Sequence, residues 1–210
     1  RRRCDGRRGR GKRGGARQSV RMATIAEAER EIEASAKLGG RIVGIGEPDF
    51  PSLLRASYNP PPMVTIKGNP AVFALPAVSI VGARNASLAG IKFTRKLAND
   101  LAMDGMAIVS GMARGIDTAA HEASLSTGTV AVLAGGLDHP YPPENLEMFA
   151  AIPDRGGAIV CEMPLGWEPR ARDFPRRNRV IAALGLGLVV IEAAKRSGSL
   201  ISARFAGELG

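Results

Sequence analysis

The sequence predicts an α/β fold, a doubly wound and mostly parallel sheet with helices on both faces. Three observations carry that prediction. From residue 78 onward, short and continuously apolar segments alternate with longer segments of helical period, the pattern of strands buried on both faces. Gly supplies 26 of the 210 residues, nearly twice the usual share of roughly 7%, which suits many tight strand-to-helix turns. Aromatics are only 4% of a body rich in Ala, Val and Ile.

The elements follow in order. Thr24 and Glu27 have capping-box spacing ahead of an Ala/Glu-rich helix that ends near Gly39 and Gly40. Arg41–Ile45 is a short strand, 47–62 holds a short helix between prolines, and Met63–Lys67 is a second strand. Val78–Gly82 is a buried strand. Ser87 caps the next helix, with Ile91, Leu97 and Leu101 as its apolar stripe and Gly105 as its stop. Further strands are expected at 106–110, 129–134, 157–162 and 186–193. The helices between them fall around 115–126, from Pro142 and Pro143 to about Ala151, and over Pro175–Leu184. Ser197-Gly198-Ser199 opens a last helix. The chain thus reads as a basic arm (1–21), a helix-and-strand extension of the sheet (22–77) and a main unit (78–210). A further strand is expected after that last helix, so the sequence reads as truncated at its C-terminal end.

The formal net charge of +9 lies in one place. Residues 1–21 hold ten Lys/Arg and one acid, Asp5, which leaves 19 bases and 19 acids in 22–210. A basic pI therefore says nothing about the body, where any polyanion site must be a local patch. The arm reads either as a nucleic-acid-binding tail or as an extension ahead of Met22, and its lack of any periodic pattern favours the extension. It has no apolar stretch typical of a secretory signal. No apolar run approaches the roughly 18 residues of a membrane span, so no membrane partner is expected. Cys4 and Cys161 stand far apart, which argues against a disulfide framework and fits a reducing, cytoplasmic setting.

Parallel sheets bind ligands beyond the C-terminal ends of their strands. The turns there are VGARNAS, SGMARGID, AGGLDHPYP, EMPLGWEPRARDFPRRNR and EAAKRSGS, and four of the five contain Arg. The arginines of a neutral body gather at this rim, where helix starts and backbone N–H groups also favour phosphate.

Several chemistries are disfavoured. The first turn, GARNAS, lacks the GxGxxG of a dinucleotide site, and no P-loop or GxSxG elbow occurs. His121 and His139 have no Cys nearby in sequence, so a zinc cluster is improbable and no cofactor is expected. Asp117 and His121, four apart on one helix face, read as a structural hydrogen-bonded pair before a catalytic one.

Three segments stand out, each with a plainer reading beside it. Gly82-Ala83-Arg84 ends a strand with a cation aimed at the rim, or with a surface salt bridge. Phe174-Pro175-Arg176-Arg177-Asn178-Arg179 sets an aromatic and three Arg at a helix start, or forms a solvated basic turn over a core Phe174. Ser197-Gly198-Ser199 offers hydroxyls and N–H groups to an anion, or is an ordinary N-cap. Together, an Arg-lined rim with an aromatic suits single-stranded polynucleotide, because cations track phosphates and rings stack on bases.

These runs, with Ser110–Asp117, Ala120-His121 and Gly135–Pro142, closely resemble the DNA-processing protein A family over roughly residues 40–210. Asp49-Phe50-Pro51 through Pro61 is similar to that family's opening segment. The resemblance implies an extended Rossmann-like fold and a non-enzymatic mediator that binds single-stranded DNA, protects it and loads the RecA recombinase during natural transformation. It implies DNA contacts at Arg84 and around Phe174, Arg177 and Arg179, and we add Gly82, Arg114, Arg172, Asn178, Ser197 and Ser199 as candidates from the same loops. A lysine found in some members three positions before the aromatic falls on Ala171, a departure for which Arg170 or Arg172 could substitute. Family members form homodimers and contact RecA largely through a later part of the fold, which leaves dimerisation of this chain in doubt.

The competing class is a nucleotide phosphoribohydrolase of the lysine-decarboxylase-like group, which uses PGGxGTxxE. The nearest run, AGGLDHPYP, lacks the GT and the positioned Glu, so the cradle has no evident general base.

Overall fold

The computed structural model of the chain describes residues 22–193 and 198–209. The basic arm and Ser197 lie outside these residues. Helix α1 (Ile25–Lys37) starts at the expected capping box, in which Thr24 accepts from the Glu27 N–H and the Glu27 side chain accepts from the Thr24 N–H. It is followed by β1 (Gly40–Gly44), α2 (Ser52–Ala56) and β2 (Met63–Gly68). The main unit runs β3 (Ala77–Gly82), α3 (Leu88–Met103), β4 (Ala107–Ser110), α4 (Ile116–Ser124), β5 (Thr129–Leu133), α5 (Leu146–Asp154), β6 (Ala158–Cys161), α6 (Asp173–Leu184), β7 (Gly187–Ile191) and α7 (Gly198–Leu209).

These strands form one seven-stranded sheet in the order β1-β2-β6-β5-β4-β3-β7. Strands β3 to β7 are mutually parallel, whereas β1 pairs with β2, and β2 with β6, in antiparallel fashion. Alternation along the buried strands sends side chains to two cores. Val81, Val109, Val132 and Val160 face one side with Phe50, Leu54, Val180 and Ile181 of the α2 and α6 layer. Ile80 and Ile108 face the other with Ala98 and Ala120 of α3 and α4, and Ile159 there meets Ile152 of α5. The fold is thus the α/β, Rossmann-like arrangement with helices on both faces.

Three local expectations need adjustment. The deeply buried positions of α3 are Gly90, Thr94, Ala98 and Ala102, while Ile91, Leu97 and Leu101 flank them. Small residues make the seam because α3 lies close against α4, and Ile or Leu at the contact would hold the two helices apart. The Pro142-Pro143 segment first makes a 3₁₀ turn at Pro143–Asn145, and α5 continues from Leu146 to Asp154, past the expected Ala151. Helix α6 begins at Asp173, two residues before Pro175, and the turn leading into it is pinned by Asp173, whose carboxylate accepts from the Arg170 N–H (2.9 Å) and Trp167 Nε1 (3.0 Å).

The chain crosses from one side of β3 to the other between β6 and β7. That switch point, where strand order reverses, opens a crevice at the C-terminal ends of β3 and β7. No helix among the described residues is long and apolar enough to cross a membrane.

Candidate functional site

A cavity of about 510 Å³ occupies this crevice. Gly82 and Arg84 border it from the end of β3, Asp117 from α4, Phe174, Arg177 and Asn178 from α6, Glu192 from the end of β7, and Ser199 and Ser202 from α7.

Phe174 is the hub of the rim. The Arg84 guanidinium lies 5.3 Å from the centre of its ring and that of Arg177 5.8 Å, while Tyr141 meets it edge-on at 5.6 Å. Phe174 is half-buried and Arg84 is exposed. Among the described residues no carboxylate lies within salt-bridge distance of Arg84, which faces the cavity and interacts only at longer range with Asp117.

Arg177 is different. It is buried, and its Nη1 donates to the carbonyls of Gly111 and Val132, the latter at 2.6 Å, while Nε donates to Asn178 Oδ1 at 3.2 Å. Gly111 follows the last residue of β4, and Val132 lies one residue beyond the last β4–β5 pair, Ser110 with Ala131. Burial pulls the Arg177 pKa down to about 10, with Asp117 opposing the shift. Asp117 Oδ2 accepts from the N–H groups of Gly111 (3.1 Å) and Ala113 (3.3 Å) and fixes the turn before α4. Burial raises the Asp117 pKa to about 6, with Arg177 and the two N–H donors holding it back. Both groups are therefore charged at neutral pH. Gly111 has room for no side chain, since a Cβ there would lie 2.6 Å from the Arg177 Cζ.

Asp117 and His121 do not bond to each other. His121 is buried in a neutral form, with Nδ1 2.7 Å from Thr129 Oγ1, which itself donates to the Ile108 carbonyl at 2.9 Å. Burial first, and Arg177 second, drive its pKa down to about 3. The expected pair separates because Asp117 turns to the loop and His121 to the sheet.

The remaining candidates scatter. Asn178 Nδ2 donates to the Gly198 carbonyl at 3.1 Å and ties α6 to the start of α7. Arg179 points away from the cavity, with Nη2 2.6 Å from Glu162 and Nη1 donating to the Asn59 carbonyl at 2.6 Å, and Arg176 shares the same carboxylate at 2.7 Å. Arg172 is exposed at the N-cap of α6. Arg114 borders a smaller adjoining cavity, 3.7 Å from Glu144. Gly82 lines the main cavity and is also a packing requirement. A Cβ there would collide with the Ile191 carbonyl and lie 2.6 Å from Ile116 Cγ1.

Sequence reasoning missed Glu192. Its carboxylate accepts from the Ser87 N–H (2.8 Å) and the Ser87 hydroxyl, and it presses against Gly90. These hydrogen bonds hold its pKa below the usual carboxylate range. The protein's own carboxylate thus fills the N-terminus of α3, the position that receives a pyrophosphate in a dinucleotide-binding turn. Glu192 (φ 55°) and Met112 (φ 63°) are the non-glycine residues with left-handed backbone among the described residues; Glu192 follows β7 at this crevice, and Met112, two residues after β4, turns into the core. Nothing local in the sequence signals either. Tyr141 was missed as well, although it is one of only two tyrosines and lies in a rim turn.

The architecture and site have clear relatives. A family model described as DNA recombination-mediator protein A matches residues 41–210. The protein Smf of Synechocystis sp. is 41% identical over 168 residues, covering 77% of this chain and 42% of its own length. The X-ray structure of DNA processing protein A from Streptococcus pneumoniae superposes with a TM-score of 0.80 at 36% identity, covering 90% of this chain and 65% of that one. A structure concerned with the single-stranded DNA binding mode of DNA processing protein A from Helicobacter pylori gives a TM-score of 0.75 at 30% identity, covering 81% of this chain and 77% of that one. The chain spans about half the length of the curated relatives it matches. With a family match across the whole sheet from β1 to α7, the chain belongs to the DNA recombination-mediator protein A family.

Proposed function

We propose that the cavity at the ends of β3 and β7 binds single-stranded DNA, and that the chain acts as a non-enzymatic mediator rather than an enzyme. The observation that carries the reading is the Arg84–Phe174 pair, an exposed cation with no carboxylate partner among the described residues, held beside a half-exposed ring at the topological switch point. Arg84 takes a backbone phosphate. The start of α7, at Gly198 and Ser199, adds its positive dipole end to the same cavity. Phe174 offers ring surface to a base. In a duplex both faces of each base are already stacked, so this combination selects single strands.

Arg177 contributes charge from below and sets Phe174 and the Gly111 turn in place. The relative from Helicobacter pylori, described as a single-stranded DNA binder, supports the same ligand for this chain. Family membership supports extending the reading to protection of incoming DNA and its transfer to a RecA-type recombinase during transformation.

The hydrolase reading finds little support in the cavity's acids. Asp117 is committed to two backbone N–H groups and Glu192 to Ser87, so neither is posed to activate water.

The test is fluorescence anisotropy with a labelled oligonucleotide, single-stranded or annealed, over a salt series. Single strands should bind more tightly than duplex. Arg84→Ala should weaken binding to all sequences and reduce the salt slope by roughly 0.7, the value for one single-strand phosphate contact. Unchanged affinity in a folded Arg84→Ala protein sinks the proposal, and turnover of nucleoside monophosphates would restore the enzyme reading.

A further inference from the structure

The main cavity does not end at Phe174. A second, smaller cavity adjoins it, and Arg84, Ala113 and Phe174 line both. Its other walls include Tyr141 and Arg114. Arg114 in turn borders a third, open cavity of about 280 Å³ beside α3 and α4. Shared lining residues link the three depressions in sequence, from the ends of β7 and β3 past Tyr141 to the groove between α3 and α4.

Along this path the aromatic rings differ in what they can still accept. Phe174 already has guanidinium groups 5.3 Å and 5.8 Å from its centre. Tyr141 is 48% exposed, and among the described residues no cation lies over its ring. The two rings stand at 68° to each other, so edge contact with Phe174 leaves Tyr141 ring surface uncovered. Arg114 lies beside it. Its side chain is 58% exposed, and its nearest carboxylate, Glu144, is 3.7 Å away, beyond a good hydrogen bond. An open ring next to a loosely paired cation is the stacking-plus-phosphate unit of single-strand recognition.

We infer that Tyr141 and Arg114 form a second nucleotide subsite, through which a strand held at Arg84 and Phe174 leaves the main cavity toward the turn after β4. The inference rests on the proposed reading of the main cavity. Tyr141 stacks the base next to the one at Phe174, and Arg114 exchanges Glu144 for the intervening phosphate. Beyond Arg114 the path loses its cationic character, because Arg95 is held by Glu122 at 2.6 Å. The strand therefore has two built subsites and then reaches solvent. Stacking is indifferent to base identity, so the subsite adds affinity and footprint without sequence preference.

Photocross-linking of the full chain tests this directly. Thymidine oligonucleotides carrying one 5-iododeoxyuridine at successive positions are irradiated with the protein, and cross-linked peptides are identified by mass spectrometry. The label should reach Tyr141 from a position next to the one that reaches Phe174. Capture at Phe174 with none at Tyr141 from any position overturns the inference. Binding supplies the second measurement. Tyr141→Ala should weaken a twelve-nucleotide strand about tenfold and a single nucleotide, thymidine 5′-monophosphate, far less, and Tyr141→Phe should retain the affinity. Arg114→Ala should lower the salt slope by roughly 0.7 for the long strand alone. Equal losses at both lengths would mean that Tyr141 merely props Phe174, and would overturn the subsite. Arg84→Ala run in parallel separates the two claims. If it weakens binding while Tyr141→Ala does not, only the second subsite falls, and if neither matters the main cavity is not the DNA site.

Discussion

The Arg84 guanidinium at the end of β3 rests 5.3 Å from the centre of the Phe174 ring at the start of α6. Their contributions to DNA binding should therefore be coupled. Removing the ring frees Arg84 to move, and removing Arg84 takes away one of the ring's neighbours. Phe174→Ala should cost roughly 1–3 kcal/mol of binding with the salt slope nearly unchanged, because stacking releases no counterions. The double variant Arg84→Ala/Phe174→Ala should lose less than the sum of the singles, with a coupling of about 0.5 kcal/mol or more. Strict additivity would mean that ring and cation act on separate parts of the strand.

Arg177 and Arg179 should behave oppositely. Arg177 is buried on two carbonyls at the sheet end, so Arg177→Met leaves those acceptors unsatisfied beside Asp117 and should destabilise the fold by roughly 3 kcal/mol. Arg179 braces the loop at Asn59 through a partly exposed side chain, and Arg179→Ala should cost about 1 kcal/mol with little change in DNA affinity. Urea unfolding of both variants checks the order, and a larger loss for Arg179→Ala would contradict it.

Two buried groups set opposing pH dependences. The Asp117 pKa is raised to about 6 from 3.8, so its stabilising contribution is complete below 3.8 and is lost as pH rises through about 6. The His121 pKa is lowered to about 3 from 6.5, so its contribution is complete above 6.5 and is lost as pH falls toward 3. His121→Gln should therefore gain stability relative to the parent as pH drops below 6.5. Asp117→Asn should lose ground relative to the parent as pH drops below about 6. The limiting slope for either is about 1.4 kcal/mol per pH unit. Urea titrations between pH 4.5 and 7.5 measure both differences, and a flat line for either variant removes that group from the account.

Glu192 fills the start of α3 with a carboxylate. Glu192→Gln keeps the shape but drops the charge, and Glu192→Ala opens the helix terminus beside Arg84. The Ala variant should melt lower, because the Ser87 cap loses its carboxylate partner, yet bind single strands more tightly because a negative charge has left the cavity. Weaker binding by a folded Glu192→Ala protein would show that the carboxylate helps to shape the DNA site.

Gly82→Ala separates packing from ligand contact. Its Cβ would meet the Ile191 carbonyl and Ile116, so β3, β7 and α4 must move apart. Thermal unfolding should drop by several degrees, as for a loss of about 1–3 kcal/mol. An unchanged melting temperature would contradict the packing seen at the strand end.

The order and type of the elements were legible in the sequence. The period of apolar residues, the Thr24–Glu27 box and the Ser87 cap are local signals, and local hydrogen bonds satisfy them. The gathering of the rim turns followed as well, since parallel strands must all end on one edge. What the sequence could not decide was where each charge goes. Arg177 and Arg179 are two residues apart in one motif, yet one is sealed beneath the cavity and the other braces a distant loop. The outcome depends on which carbonyls each side chain reaches, and so on β7 lying beside β3 while β4 and β5 continue on the other side. Glu192 reaches Ser87 for the same reason, across 105 positions of sequence. Strand order, set by long-range packing and not by any local period, turned similar rim arginines into one exposed cation, one buried support and one brace.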